Sequence, residues 1–288
     1  MEIRLNHINK RFGKHIIFED VSTYFPSGQM IGLIGPNGIG KTTLIRMMFN
    51  LDSQYEGDIY FDNRTNKDVT VFKDAYFMQD NRVLYPQLTA YDHLRFLVDV
   101  HQINLDAIER VVEQVGIKSY LHKKVESYSL GMKQHLLIAM ALIHQPQCIV
   151  MDEPFNGLDP TSIHDVKMIL KSLKRQNKTI IMSSHNLSII QELVDRVYLV
   201  KDKKLVNIEL NKTREPQLLI QFNNNNEKNR FIELVGKYAI AIESIEDKVH
   251  IIGNLSEAIN LLIAHQIPIK SVEPVQFNIE ELYKEYYL

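Results

Sequence analysis

Two stretches of the 288-residue sequence combine side chains and intervals suited to handling phosphate. The first is Gly35, Pro36, Asn37, Gly38, Ile39, Gly40, Lys41, Thr42, which fits the pattern GxxxxGK followed by Ser or Thr. Phosphate oxygens need several converging donors. Glycines let successive backbone N–H groups turn inward, and the N-terminus of a following helix adds partial positive charge. Lys41 is then placed to meet β- and γ-phosphates as a point charge, and Thr42 to offer its hydroxyl to Mg²⁺. Gly35, Asn37, Gly38, Gly40 and Thr43 complete the expected cradle for ATP. A chance match to the pattern in a chain of this size is a roughly one-in-a-hundred event, and here an apolar run precedes it and a helical pattern follows.

The second stretch is the apolar run Cys148, Ile149, Val150, Met151, ended by Asp152 and Glu153. A strand buried on both faces needs such a run, and ligands of open α/β sheets sit at the carboxyl ends of the strands. Asp152 is placed to hold Mg²⁺ through water. Glu153 is placed to accept a proton from an attacking water, or to orient it. Alternate strand side chains point oppositely, which separates the two roles. A solvated Asp-Glu pair at a strand end would look the same in isolation; the phosphate loop is what distinguishes it.

These groups need a scaffold, and the pattern supplies one. Strands are expected at 3–8, 16–25 and 30–34, the last running into the glycine turn, with a helix from Thr42. Further strands are expected at 59–61 and 75–78. A helical segment spans about 80–145; its first helix opens with Thr89 and Asp92 at capping-box spacing and carries Leu94, Leu97 and Val98 on one face. Strand character returns at 179–182, and 197–200 with 205–208 reads as a hairpin. Apolar strands alternating with helices indicate an α/β fold built on a mainly parallel sheet.

A charged, proline-ended linker at 212–216 sets off a second domain, 212–288, from the first, 1–211. Its order is strand 218–222, helix 227–236, strands 240–245 and 249–252, helix 256–265 and strand 269–273. This βαββαβ order is the small α+β ferredoxin-like arrangement. The Asn223 to Asn226 tract reads as a polar turn. In the last helix Ile279, Leu282, Tyr283 and Tyr286 share one face, expected to pack on its own domain, with a dimer or regulatory contact as the alternative.

Composition narrows the rest. Apolar residues at 45% and charged residues at 24% describe a globular chain rather than a disordered one. Thirty-three basic against 35 acidic residues leave a net charge of −2, which offers no field for nucleic acid. Cys148 is the only cysteine, which excludes an internal disulfide and a cysteine-cluster zinc site and suits a reducing cytoplasm. The alternating N-terminus is unlike a signal peptide, and no uncharged apolar run reaches the ~18 residues needed to cross a bilayer.

With both motifs in place, residues 1–211 resemble the nucleotide-binding subunit of an ATP-binding cassette (ABC) transporter: an antiparallel β subdomain, a mainly parallel core and a helical subdomain at 80–145. Tyr128, Ser129, Leu130, Gly131, Met132, Lys133, Gln134 resembles the LSGGQ signature, with Leu130 in place of its first glycine and Met132 in place of its glutamine. The resemblance implies that Ser129 and Gly131 bind the γ-phosphate of an ATP held by the opposite subunit. It further implies that Gln79, as the Q-loop residue, senses Mg²⁺ and the membrane partner, and that Asp159 belongs to the D-loop while also capping a helix before Pro160. His185, in Ser183, Ser184, His185, Asn186, would touch the γ-phosphate, and Phe12 would stack on adenine.

Two copies, as homodimer or heterodimer, would then sandwich two ATP molecules head to tail. A separate integral membrane permease would dock near 79–88 and carry the cargo, so that no direct cargo contact falls on this chain. The chain would lie in the cytoplasm, peripheral on the inner face of the membrane. The C-terminal domain is similar to extensions of the ABC-2-type exporter group, which implies export of a peptide or drug-like substrate; exporters of amphipathic peptides such as the phenol-soluble modulins belong there. Two other functions remain open. A non-transport cassette ATPase acting on ribosomes or DNA would need two cassettes or a coiled-coil insertion, and an ATP-binding regulatory subunit with weak hydrolysis is allowed by Leu130.

Overall fold

The computed structural model describes residues 1–210, 217–238, 240–275 and 278–288; the linker expected at 212–216 lies outside them. The chain forms two compact units, Met1–Ile208 with Ile279–Leu288, and Glu209–Asn278.

In chain order the first unit contains β1 (Ile3–Phe12), β2 (His15–Phe25), β3 (Met30–Ile34), α1 (Lys41–Met48), β4 (Glu56–Phe61), β5 (Arg64–Thr65) and β6 (Ala75–Met78). There follow α2 (Ala90–His101), α3 (Asp106–Val115), α4 (Leu130–Leu142), β7 (Cys148–Met151), α5 (Pro160–Arg175), β8 (Thr179–Ser183), α6 (Leu187–Leu193), β9 (Arg196–Lys201) and β10 (Lys204–Glu209). One sheet is antiparallel in the order β2-β1-β4-β5, and a six-stranded sheet runs β10-β9-β3-β8-β7-β6. In the latter β6, β7, β8, β3 and β9 are parallel to one another. Every residue of β3, β7 and β8 is buried, as a strand covered on both faces requires. Leu33, Leu44, Ile45, Val150 and Ile181 share one core with Leu5, Phe18 and Phe61 of the antiparallel sheet.

The helical segment starts where the capping chemistry placed it. Asp92 N–H donates to Thr89 Oγ1 at 3.1 Å, and Thr89 N–H donates to Asp92 Oδ2 at 2.8 Å. Two of the otherwise free donors at the helix start are thereby satisfied.

The second unit has β11 (Gln217–Gln221), β12 (Ala241–Ile245), β13 (Lys248–Ile252) and β14 (Ser271–Val275) in the antiparallel order β12-β13-β11-β14, with helices Asn225–Gly236 and Leu255–Ala264. This is the ferredoxin-like topology. Its own core gathers Ile220, Phe222, Phe231, Val249 and Ile251. The asparagine tract is not all turn: Asn224 caps the helix by accepting from Glu227 N–H at 3.0 Å, so Asn225 and Asn226 are already helical.

The C-terminal helix (Ile279–Tyr287) corrects the expectation that it packs on the second unit, because it belongs to the first. Its leading N–H, on Ile279, donates to Gln191 Oε1 of α6 at 2.8 Å. At its far end the Tyr287 hydroxyl donates to the Val200 carbonyl at 2.7 Å and lies 3.4 Å from the Ile34 carbonyl. The Lys201 ammonium sits 4.8 Å from the Tyr286 ring centre. The amphipathic face predicts burial but not the surface that provides it, and here the polar groups at both helix ends find acceptors on α6 and β9.

Candidate functional site

The strands β3, β8, β7 and β6 are neighbours and parallel, so the four loops that leave their carboxyl ends meet at one edge of the sheet. Met78 of β6, Met151 of β7 and Met182 of β8 are in register. Gln79, Asp152 and Ser183 therefore follow at one level. A cleft of about 510 Å³ opens there, lined by Asn37, Gly38, Gly40, Lys41, Thr42 and Thr43 on one side and by Gln79, Asp152, Glu153, Asn156 and Gly157 on the other.

In the glycine loop Gly38 and Gly40 have φ of 79° and 117°, values that exclude most side chains. Gly40 is also required sterically, since a Cβ there would stand 2.6 Å from Ile17 Cγ2. Gly40 provides no side-chain cap for α1 and the first turn carries no acid, so its leading N–H groups stay available for an anion. Lys41 folds back into the loop, where its ammonium donates to the carbonyls of Gly35 at 2.7 Å and Pro36 at 3.1 Å. Burial pulls its pKa below the usual lysine value, against the opposing pull of Glu153 and Asp152.

Opposite, Asp152 uses both oxygens: Oδ2 accepts from the Thr42 hydroxyl at 2.7 Å and Oδ1 from the Ser183 hydroxyl at 2.5 Å. Glu153 has φ 52°, its N–H donates to Ser183 Oγ at 2.9 Å, and its Oε2 meets His185 Nδ1 at 2.8 Å. Thr42, Asp152 and the exposed Gln79 present hard oxygen donors to one cleft. One carboxylate plus neutral oxygens, with substrate phosphate to complete the shell, suits Mg²⁺ better than a softer ion.

Ser129, Gly131, Asp159 and Phe12 are not among the residues that line this cleft, and His185 meets it only through Glu153. Ser129 caps α4, its Oγ accepting from Met132 N–H at 3.2 Å. Gly131 presses on α5: a Cβ there would lie 2.1 Å from Ser162 Oγ. Asp159 caps α5 through Thr161 N–H and Ser162 N–H, each at 3.0 Å, and accepts the Ser162 hydroxyl at 2.7 Å; that last bond leads in holding its pKa below the usual carboxylate range. Leu130 does line the cleft, and its Cδ2 occupies the space that a Cβ on Gly157 would need. Phe12 ends β1 with 52% of its surface exposed, and the Lys10 ammonium stands 4.4 Å from its ring centre.

Two contributors escaped the sequence reading. Ser183 stood inside a recognised segment but had no assigned role; a hydroxyl ending a fully apolar strand next to an acidic pair was the available signal. Lys10 is buried, bonded to Asp52 Oδ1 at 2.7 Å and to the Gln54 carbonyl at 2.8 Å. Only its place two residues before Phe12 could have pointed to it.

Comparison with known proteins gives the family. The family model described as ABC transporter matches residues 18–156. The uncharacterized ABC transporter ATP-binding protein YhcH of Bacillus subtilis (strain 168) is 36% identical over 211 residues, covering 72% of this chain and 69% of that protein. The lantibiotic transport ATP-binding protein SrtF of Streptococcus pyogenes is 33% identical over 204 residues, covering 71% of this chain and 89% of SrtF. The chain belongs to the ATP-binding subunits of ABC transporters. A solved ATP-binding subunit of an ABC transporter superposes with a TM-score of 0.67 at 25% identity, over 74% of this chain and 92% of that one. As an ABC ATPase subunit the protein binds and hydrolyses ATP and works with a membrane permease. Among the described residues of the ABC subunit no helix is long and apolar enough to cross a membrane.

Proposed function

We propose that this ATPase subunit powers export of a peptide or drug-like cargo, closing with a second copy or a sister subunit, head to tail, on two Mg²⁺·ATP. One observation carries the reading. The glycine loop, Asp152 and Glu153 line one cleft, with His185 bonded to Glu153 behind it, while Ser129 and Gly131 are not among its lining residues. A chain built this way offers half of each ATP site and needs a mate to supply the other half.

In this reading the loop amides and Lys41 grip the β- and γ-phosphates, and Phe12 stacks on adenine through its open face. Thr42, Asp152 and Gln79 would hold Mg²⁺, which would supply neutralising charge for the phosphoryl oxygens. Glu153 takes a proton from the attacking water or orients it. His185 holds the Glu153 carboxylate through Nδ1 and keeps Nε2 for the γ-phosphate. Ser129, Gly131 and Asp159 reach the ATP of the opposite subunit. Closure removes water and strengthens each of these electrostatic contacts. Tyr85 and Leu88, 65% and 42% exposed, give the 79–88 segment an apolar surface on which a permease helix would dock. That docking places the subunit on the inner face of the membrane. The similarity to a lantibiotic transport protein supports a peptide as cargo.

The test is Glu153→Gln in the full chain, assayed alone and with its permease in proteoliposomes. Loss of a general base lowers turnover by about 10²- to 10⁴-fold, with ATP still bound and the closed dimer accumulating on size exclusion. Wild-type turnover in this variant removes Glu153 from the chemistry, and a monomer at saturating ATP removes the head-to-tail arrangement.

A further inference from the structure

We propose that Ser183 is a positioning residue for ATP hydrolysis, a single buried hydroxyl that sets the geometry of both acids following β7. The inference rests on the roles given above to Asp152 and Glu153.

Ser183 is the last residue of β8 and is completely buried. Because Met151 and Met182 are partners in the parallel register, Asp152 and Ser183 follow side by side. The hydroxyl uses both of its capacities there, donating to Asp152 Oδ1 at 2.5 Å and accepting the Glu153 N–H at 2.9 Å. Each bond fixes something different. With the Thr42 hydroxyl on Oδ2, the bond to Oδ1 stops the Asp152 carboxylate from turning about its own axis. The bond from Glu153 N–H holds a backbone at φ 52°, a conformation that a residue with a Cβ keeps only where its surroundings impose it. The direction of the Glu153 side chain follows from that backbone, and with it the 2.8 Å contact between Oε2 and His185 Nδ1.

An apolar replacement at 183 would leave an oxygen of Asp152 and the N–H of Glu153 without this partner. No hydrogen bond of Ser183 reaches the glycine loop. Its loss should therefore alter turnover and divalent-cation binding, and spare nucleotide binding in the absence of metal.

The experiment compares the wild-type full chain with Ser183→Ala and Ser183→Thr. Expected for Ser183→Ala is a kcat about ten-fold lower with the KM for ATP within two-fold, and a several-fold weaker affinity for Mn²⁺ in the ADP complex, read by electron paramagnetic resonance. Binding of a fluorescent ADP in EDTA should be unchanged, and Ser183→Thr, which keeps the hydroxyl, should recover most of the loss. If Ser183→Ala does not yield folded protein, Ser183→Cys, with a weaker donor and acceptor of similar size, carries the same expectation. Wild-type kcat and Mn²⁺ affinity in the Ala or Cys variant overturn the proposal. So does a variant that loses nucleotide binding in EDTA as much as it loses kcat, with Thr no better than Ala, since that is a folding role. If Ser183→Ala is silent while Glu153→Gln is inactive, only the role of Ser183 falls. If Glu153→Gln is also fully active, the assignment of the acids falls with it.

Discussion

Replacing Gly131 by Ala separates two demands that the signature segment places on one residue. A Cβ at 131 would lie 2.1 Å from Ser162 Oγ and 2.9 Å from Ser162 Cβ. The hydroxyl could rotate away only by giving up its 2.7 Å bond to Asp159 Oδ2, and the Cβ is fixed by a helix start that Asp159 already caps. Overpacking of this kind costs about 1–3 kcal/mol. In a unit of this size each kcal/mol shifts the melting temperature by about 2–4 °C, so a fall of roughly 2–12 °C is expected by calorimetry. Adding Ser162→Gly to Gly131→Ala removes the obstructing atoms, and the double-mutant cycle should show a favourable coupling of about 0.5–3 kcal/mol, with the intrinsic cost of glycine in a helix subtracted by the cycle. ATPase activity is read in parallel. If stability returns in the double variant while activity does not, the glycine serves the nucleotide as well as the packing. A Gly131→Ala protein that melts with the wild type, with no coupling to Ser162, refutes the steric argument.

Other consequences follow from single side chains. Tyr287→Phe leaves the Val200 carbonyl without its 2.7 Å partner; losing such a bond costs about 1–3 kcal/mol, and thermal melting should register it as a drop of a few degrees, whereas an unchanged transition would show the hydroxyl to be dispensable. Cys148 is fully buried and its thiol is pushed up to about 12 by that burial, so a disulfide reagent at pH 8 should label it only after unfolding; rapid labelling of the native protein would contradict this. His144 stacks on His101 at 5.1 Å with neither ring nitrogen hydrogen-bonded, and burial first, then His101, pushes its pKa down to about 4. The unfolded chain takes up that proton first, near 6.5, so this contribution to stability is present above pH 6.5 and lost as pH falls through about 4. His144→Phe should lose less stability than wild type between pH 7 and 4 in urea melts, and parallel losses would exclude His144 as the cause.

Much of the site was readable because its chemistry fixes identity and interval together. The glycine loop could be placed from eight residues, and the run 148–151 announced a strand buried on both faces by having no polar position. The Thr89 and Asp92 cap was equally legible, since the whole interaction lies within four residues. What escaped depends on partners distant in sequence. An amphipathic pattern at 279–286 states that a face must be covered but does not name α6 and β9 as the cover. A serine at the end of β8 looks like an ordinary strand boundary until the neighbouring strand brings Asp152 beside it. Gly131 reads as part of a nucleotide motif, and its contact with Ser162 emerges only when α4 and α5 cross. The asparagine tract misled because asparagine serves turns and helix caps alike, and only the Glu227 N–H bond decides between them.

The return of the C-terminal helix to the first unit changes what the second unit is in the topology of the chain. Residues 209–278 are an insertion anchored at both ends, not an appendage hung from one. Cutting the gene after residue 211 would thus excise a piece of the motor along with the accessory unit, stripping the Tyr287 hydroxyl from β9 and from the end of β3 that leads into the glycine loop. A clean excision would join β10 to Ile279 and keep residues 279–288 in place.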